Sequence, residues 1–283
     1  MQPGMKIFSS LPVDERIELS QGTRQVQELN GLPAAENTYV PALPWRKMTK
    51  TEAGILLAKS DENLPYQSIG LWKLPATLIE AWKATGIHTA NNEAEVLQVM
   101  HHPAYATAVA KTESWALEFQ RTPEPLITHR IACIPKGLET VTYNPKEKRY
   151  LGLHLDSWEK QPLDELPTTR NRLCINLGQS PRYFLFINQE IHQLQQLCNL
   201  PRESRPRTLI QAFLERFPDY PVVRIKLQPF EAYIAPTENI IHDGSSVGQQ
   251  YQDVQITLRS YFNVKPAQRI SLFQRVKKLL VPN

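Results

Sequence analysis

Three cysteines in 283 residues, with no C-x-x-C pair among them, leave this chain without a disulfide framework or a thiolate zinc site. Cys133, Cys174 and Cys198 are odd in number and widely separated, so the expected compartment is the reducing cytoplasm. No run of eighteen apolar residues occurs, and the opening "MQPGMKIFSSLPVDERIELSQG" lacks the apolar centre of a signal peptide, so no membrane span or export signal is expected. Long blocks of one charge sign are also missing. The 32 basic and 28 acidic residues are interspersed and leave a net charge of only +4, without the basic stripe that a nucleic-acid backbone demands. Internal repeats and low-complexity segments are absent too, which leaves a single globular core, with a smaller helical appendage, as the expected organisation.

What is present divides in two. Residues 1–125 are expected to be a mainly helical region packed on the core. "TKTEAGILLAKS", "PATLIEAWKATG" and "NNEAEVLQVMHHPAYATAVAKTESWALEFQ" repeat apolar residues at three- and four-residue spacings. Pro75 suits a first helical turn, Gly86 a C-terminal stop, and Asn91 or Asn92 an N-cap. Trp72, Trp82 and Trp115 are expected to pack this region onto a flat surface.

From residue 126 the period shortens. "LITHRIACI", "LETVTYN", "RYLGLHLD", "RNRLCINL", "RYFLFIN", "VVRIKL", "EAYIAP" and "DVQITLRSYF" read as short strands separated by turn formers, the spacing of an antiparallel sandwich or barrel. This core is expected over residues 126–264, with a helical insert at 189–217 formed by "QEIHQLQQLCNL" and "RTLIQAFLERF". A last helix is expected over 265–283, with Ile270, Phe273, Val276 and Leu280 on one stripe and its basic residues on a solvated face. The fold class is α+β.

The stretch "GLHLDSW" carries the first chemical signal. His154 and Asp156 stand two apart, and in an extended strand such residues point to the same face. The pairing alone is weak, because 7 histidines and 28 acidic residues produce about 0.7 such spacings by chance in a chain of this length. A third candidate follows in "EAYIAPTENIIHDGSSVGQQYQ", where His242 ends a short apolar run. Asp243 beside it points the other way on a strand and stays outside the ligand set. The other histidines compete poorly: His101 and His102 precede a proline at a helix break, His88 follows Gly86, His192 belongs to a polar helix, and His129 has no carboxylate two residues away. Two histidines and one carboxylate form the ligand set that caps one face of a ferrous ion and leaves the opposite face open.

With His154, Asp156 and His242 in that order, and Arg259 one strand beyond, residues 126–264 resemble the iron(II)- and 2-oxoglutarate-dependent non-haem oxygenases. The resemblance implies a double-stranded β-helix, the jelly-roll or cupin-like fold. It implies Fe(II), 2-oxoglutarate and O2 as the reacting partners, with His154, Asp156 and His242 as metal ligands and Arg259 as the anchor for the distal carboxylate of 2-oxoglutarate. In "DVQITLRSYF", Thr257 and Tyr261 alternate with Arg259 on one face, and one or the other is expected to supply a hydroxyl to that carboxylate. Asn176 or Arg172, on one face of "RNRLCINL", is a second candidate contact. Relatives that transfer halogen replace the carboxylate ligand with a small residue, so the presence of Asp156 implies hydroxylation of an unactivated C–H, by hydrogen abstraction and rebound, or another oxidation by the same intermediate. The polar segments "SWEKQPLDELPTT" and "DGSSVGQQYQ" are expected to border the mouth of the barrel, with Trp158 and Tyr251 as substrate contacts.

Two other readings fit the same residues. A hydrolytic zinc site accepts His154, Asp156 and His242 equally well but leaves Arg259 without a role. A cupin-like binding domain with incidental metal residues neither binds iron nor decarboxylates 2-oxoglutarate. The expected substrate is a small polar metabolite, amino-acid-like and either free or tethered to a carrier protein. Its identity, and the oligomeric state, are not encoded in any motif.

Overall fold

Side chains alternate across a strand, so "RNRLCINL" presents Leu173, Ile175 and Leu177 to one side and Arg172, Cys174 and Asn176 to the other. A strand with apolar residues on one side and buried chemistry on the other belongs between two layers. In the computed structural model, which describes residues 1–13, 15–59, 64–201 and 203–266, it lies there.

Six strands come first: β1 (Lys6–Ser9), β2 (Ile17–Leu19), β3 (Thr23–Leu29), β4 (Leu32–Pro41), β5 (Arg46–Lys47) and β6 (Ser68–Lys73), with helix α1 (Lys50–Leu56) before the last. Helices α2 (Ala76–Lys83), α3 (Glu93–Met100) and α4 (Ala104–Leu117) follow. Then come β7 (Ile127–Thr128), β8 (Ala132–Ile134), β9 (Tyr143–Asn144), β10 (Arg149–Tyr150), β11 (Asn171–Asn176) and β12 (Arg182–Glu190). Helices α5 (Ile191–Cys198) and α6 (Pro206–Arg216) precede β13 (Val223–Leu227), β14 (Glu231–Ala235), β15 (Ile240–Ser245) and β16 (Asp253–Ser260).

The larger sheet has the order β1-β6-β14-β11-β16-β7, with β8 also on β16. The smaller runs β15-β12-β13-β2-β5. All pairings in both sheets are antiparallel except β1 with β6. The sheets face each other across Ile69, Leu71, Cys174, Tyr233 and Ala235 on one side and Ile17, Leu19, Phe184, Phe186, Val223 and Ile225 on the other, with the Phe184 ring stacked on Tyr233 at 4.2 Å. Helices α2 to α4 cover the outer face of the larger sheet, where Trp82 and Trp115 meet Leu173, Ile175, Ile256 and Leu258. Helices α5 and α6 cover the smaller sheet through Leu194, Leu209 and Phe213 against Leu185, Ile187 and Ile241.

The α+β class and the helical insert are as read, and the caps fall where the residue types direct. Asn92 accepts from the Glu95 N–H, and Gly86 adopts φ +80° after α2. The mainly helical 1–125 region is corrected: among its described residues helix is confined to α1 and to the segment 76–117, which includes a short 3-10 turn at Ile87–Thr89, and the first 73 residues supply six strands. Short apolar runs such as "SIGLWK" are ambiguous in period, and β6 forms because β14 offers it a paired edge. Trp72 accordingly lies on a strand, not on a helix. The helix expected at 265–283 falls, from residue 267 onward, outside the described residues. No described helix is long and apolar enough to cross a membrane.

Candidate metal centre

Gly152, at φ +68°, starts the segment that carries the first two ligands, and it passes so close to β4 that a Cβ there would meet the Tyr39 carbonyl at 2.5 Å. Beyond it Leu153 and Leu155 turn outward into the core beneath α5 and α6, so His154 and Asp156 turn inward. His154 forms an isolated antiparallel bridge with His242 on β15. Each backbone N–H donates to the other residue's carbonyl, at 3.0 and 2.8 Å. Directly opposed residues share a face, and the two imidazole centroids lie 4.7 Å apart. His154 Nε2 is 3.6 Å from Asp156 Oδ1 and His242 Nε2 is 3.6 Å from Asp156 Oδ2. The three residues form a buried cluster whose ligand atoms all fall within 4.8 Å of one another.

Backbone carbonyls decide what those atoms are. His154 Nδ1 lies 2.9 Å from the Gly152 carbonyl and His242 Nδ1 lies 3.1 Å from the Ile240 carbonyl. A carbonyl can only accept, so in the neutral rings Nδ1 carries the proton and Nε2 presents a lone pair. His242 Nε2 is buried and has no hydrogen-bond partner. The two Nε2 atoms and a carboxylate thus converge in a buried site, an arrangement that is unfavourable unless something positive, a proton or a metal ion, sits among them.

The titration behaviour has the same origin. Burial opposes the charged form of His154, but the Asp156 and Asp243 carboxylates outweigh it and raise its pKa to about 10. For His242 burial dominates, with the charges of His154 and Arg172 adding to it against Asp156, and the pKa falls to about 4. Burial opposes ionisation of Asp156, yet Arg172 and the two histidines hold it well below the usual carboxylate range. Arg172 on β11 supplies the direct contact, donating from Nη2 to Asp156 Oδ2 at 2.8 Å.

Asp243 lies behind His154, outside the ligand set as expected. Its Oδ1 accepts from the Val141, Thr142 and Gly244 N–H groups and from the Thr142 hydroxyl, whereas Oδ2 is buried without a hydrogen-bond partner 3.5 Å from His154 Nδ1. A carboxylate behind a ligating histidine fixes ring orientation and raises basicity. Asp243→Asn is therefore expected to weaken divalent-metal affinity by about 10- to 100-fold, read by competition with a chelating dye. Unchanged affinity would leave the Gly152 carbonyl as sole support of the ring.

The remaining predicted residues divide by location. Arg259 and Arg172 are cross-strand neighbours on the inner face of the larger sheet. Arg259 Nη2 donates to Glu238 Oε1 at 2.8 Å and Glu159 Oε1 at 3.2 Å, and its guanidinium lies 5.2 Å from the centre of the Trp158 ring. Trp158, 51 % exposed, also lies against His129 at 5.3 Å, which puts the segment after Asp156 at the mouth of the site. Thr257 shares the inward face of β16 with Arg259, opposite Cys174. Tyr261 lies past the end of β16, its ring 5.3 Å from the Arg170 guanidinium.

Asn176 and Tyr251 are not brought to the site. Asn176 ends β11, roughly 13 Å along the strand from Arg172 by strand rise. Its amide donates to the Ser180 and Leu227 carbonyls and accepts from Gly178 N–H, a purely structural role in the β11–β12 turn. Tyr251 lies at that same far end, its N–H on the Ser180 hydroxyl. β15 carries the chain away from the mouth after His242, so "DGSSVGQQYQ" borders the opposite end of the sandwich.

Sequence reasoning missed Glu238, Glu159 and His129. Burial leaves Glu238 Oε2, His129 Nε2, Arg172 Nε and Arg170 Nε without partners around the mouth. No spacing marks Glu238, and His129 lacks the nearby carboxylate that would have drawn attention to it. Comparison with protein-family models and with curated proteins finds no match to this chain in either.

Proposed function

We propose that the chain is an iron(II)- and 2-oxoglutarate-dependent oxygenase that hydroxylates an unactivated C–H of a small, amino-acid-like metabolite, free or carrier-tethered. The observation that carries this reading is the pair of carbonyl-oriented imidazoles whose Nε2 atoms meet the Asp156 carboxylate in a buried site. Strand order supports the double-stranded β-helix assigned to it. From β7 onward, leaving aside the short β9–β10 hairpin, the chain visits the larger sheet, the 153–156 segment beside β15, then β11, β12, β13, β14, β15 and β16, and so passes repeatedly between the two sheets.

Iron, once held there with 2-oxoglutarate and O2, would supply the oxidising power for hydrogen abstraction and hydroxylation. The chain's own residues would do the rest. Gly152 and Ile240 carbonyls would orient both imidazoles with Nε2 toward the ion, and Asp156 would supply the third ligand atom. Arg172 keeps Asp156 ionised and turned toward the histidines. Arg259, on a rigid strand between the sheets, offers a planar fork to the distal carboxylate of the cosubstrate, which would displace Glu238 or Glu159 from it. Trp158 and the segment following it close the mouth against water.

Arg259→Ala is expected to weaken 2-oxoglutarate binding by about a hundredfold while metal affinity survives, as seen by calorimetric titration of metal-loaded protein. Near-native cosubstrate affinity in that variant would transfer the anchor to Arg172. The reading as a whole is tested by iron-dependent conversion of 2-oxoglutarate to succinate, with mass spectrometry of metabolite pools for a product that gains one oxygen. A protein that binds neither Fe(II) nor 2-oxoglutarate is not this enzyme.

A further inference from the structure

Glu238 is the most deeply buried acid at the mouth, 1 % exposed, in the turn between β14 and β15. Its neighbour Thr237 accepts from the Asp156 N–H at 3.2 Å, so the turn abuts the metal centre. Oε1 receives Arg259, and Oε2 is buried with no hydrogen-bond partner. Arg259 is the only cation in contact with Glu238 among the described residues, and it is shared with Glu159, whose Oε1 also receives Arg170 at 2.9 Å. The exposed Trp158 ring lies 5.2 Å from the same Arg259 guanidinium and offers a flat apolar face beside it.

We infer that Glu238 is a binding position for a protonated nitrogen of the substrate. This rests on the reading of Arg259 as cosubstrate anchor. Once a cosubstrate carboxylate takes the Arg259 fork, Glu238 remains buried without its counter-ion, a state that is strongly disfavoured. An ammonium or guanidinium entering past Trp158 supplies both missing elements, a positive charge and a donor for Oε2. The alternative relief is a proton on Glu238 itself, whose pKa burial already pushes up to about 7 against the pull of Arg259. A neutral acid would show no preference for cations, so the two are separable by binding.

The test uses the full chain loaded with Zn(II), which is redox-silent, and titrates pentylamine, agmatine and pentan-1-ol by calorimetry with and without 2-oxoglutarate. With 2-oxoglutarate present, at least one amine should bind about tenfold or more tighter than the alcohol of matching length, as expected for a charge-assisted hydrogen bond. That gap should close in Glu238→Gln and persist in Glu238→Asp, with Zn(II) affinity and melting temperature recorded for each variant. Equal binding of alcohol and amines, or a gap that survives in Glu238→Gln, overturns the inference while leaving the oxygenase reading standing. Zn(II)-loaded protein that fails to bind 2-oxoglutarate overturns both.

Discussion

Replacing His242 by alanine is expected to lower divalent-metal affinity by about a hundred- to a thousandfold. Structural zinc sites with four protein ligands contribute roughly 10–16 kcal/mol of binding free energy, so one ligand accounts for about 2.5–4 kcal/mol. His242 should reach that range because its cost of preparation has already been met by folding. Its ring is buried, its tautomer is held by the Ile240 carbonyl, and its Nε2 has no competing partner to release. His154 differs: its neighbour Asp156 and the carboxylate of Asp243 favour a proton on the ring, which a metal must displace. Competition with a chelator of known affinity measures both variants. A His242→Ala protein that retains wild-type affinity would show that the lone pair is an unfilled packing defect and would remove the basis of the oxygenase reading.

The second large effect concerns stability. Arg182 begins β12 in the smaller sheet and Asp253 begins β16 in the larger, and Arg182 Nε donates to both carboxylate oxygens at 3.0 and 3.2 Å. Arg182 is 2 % exposed, its Nη1 reaches Cys174 Sγ at 3.3 Å, and the absent side chain of Gly244 makes room for it. A Cβ at Gly244 would lie 2.9 Å from Nη2. This pair ties the two sheets together at the end opposite the metal centre. Arg182→Ala leaves Asp253 buried and uncompensated, and an uncompensated charge costs about 3–5 kcal/mol, a large part of the 5–15 kcal/mol that stabilises a typical domain. Urea unfolding should show a lower midpoint at similar slope. Joining Arg182→Met to Asp253→Leu should recover much of the loss, because removing both charges also removes their desolvation cost. A single variant within about 1 kcal/mol of wild type would mean that water reaches Asp253.

Local rules were legible in the linear order of residues. Two-residue alternation put His154 with Asp156 and Arg259 with Thr257 on common faces. It also separated Asp243 from His242, and all three placements hold in the fold. Helix α3 starts at an asparagine and α2 stops before a glycine for reasons contained in single residues. Each of these depends on torsions and hydrogen bonds within a few positions, so composition and spacing suffice to determine them.

Pairing between distant segments was decided only by the tertiary structure. That His242 lies directly across from His154 follows from the bridge between their backbones, and no spacing encodes which of several apolar runs wins that place. The direction of β15 sends Tyr251 to the far end, and the β11–β12 turn claims Asn176 for its own backbone. The turn before β15 likewise brings Glu238 to Arg259, and the edges of the two sheets recruit β1, β2, β5 and β6 from a region whose helices dominate the periodic signal. A side chain's face is a local property of period two, whereas its neighbour is the outcome of competition among all strands to bury apolar surface and satisfy their backbone groups.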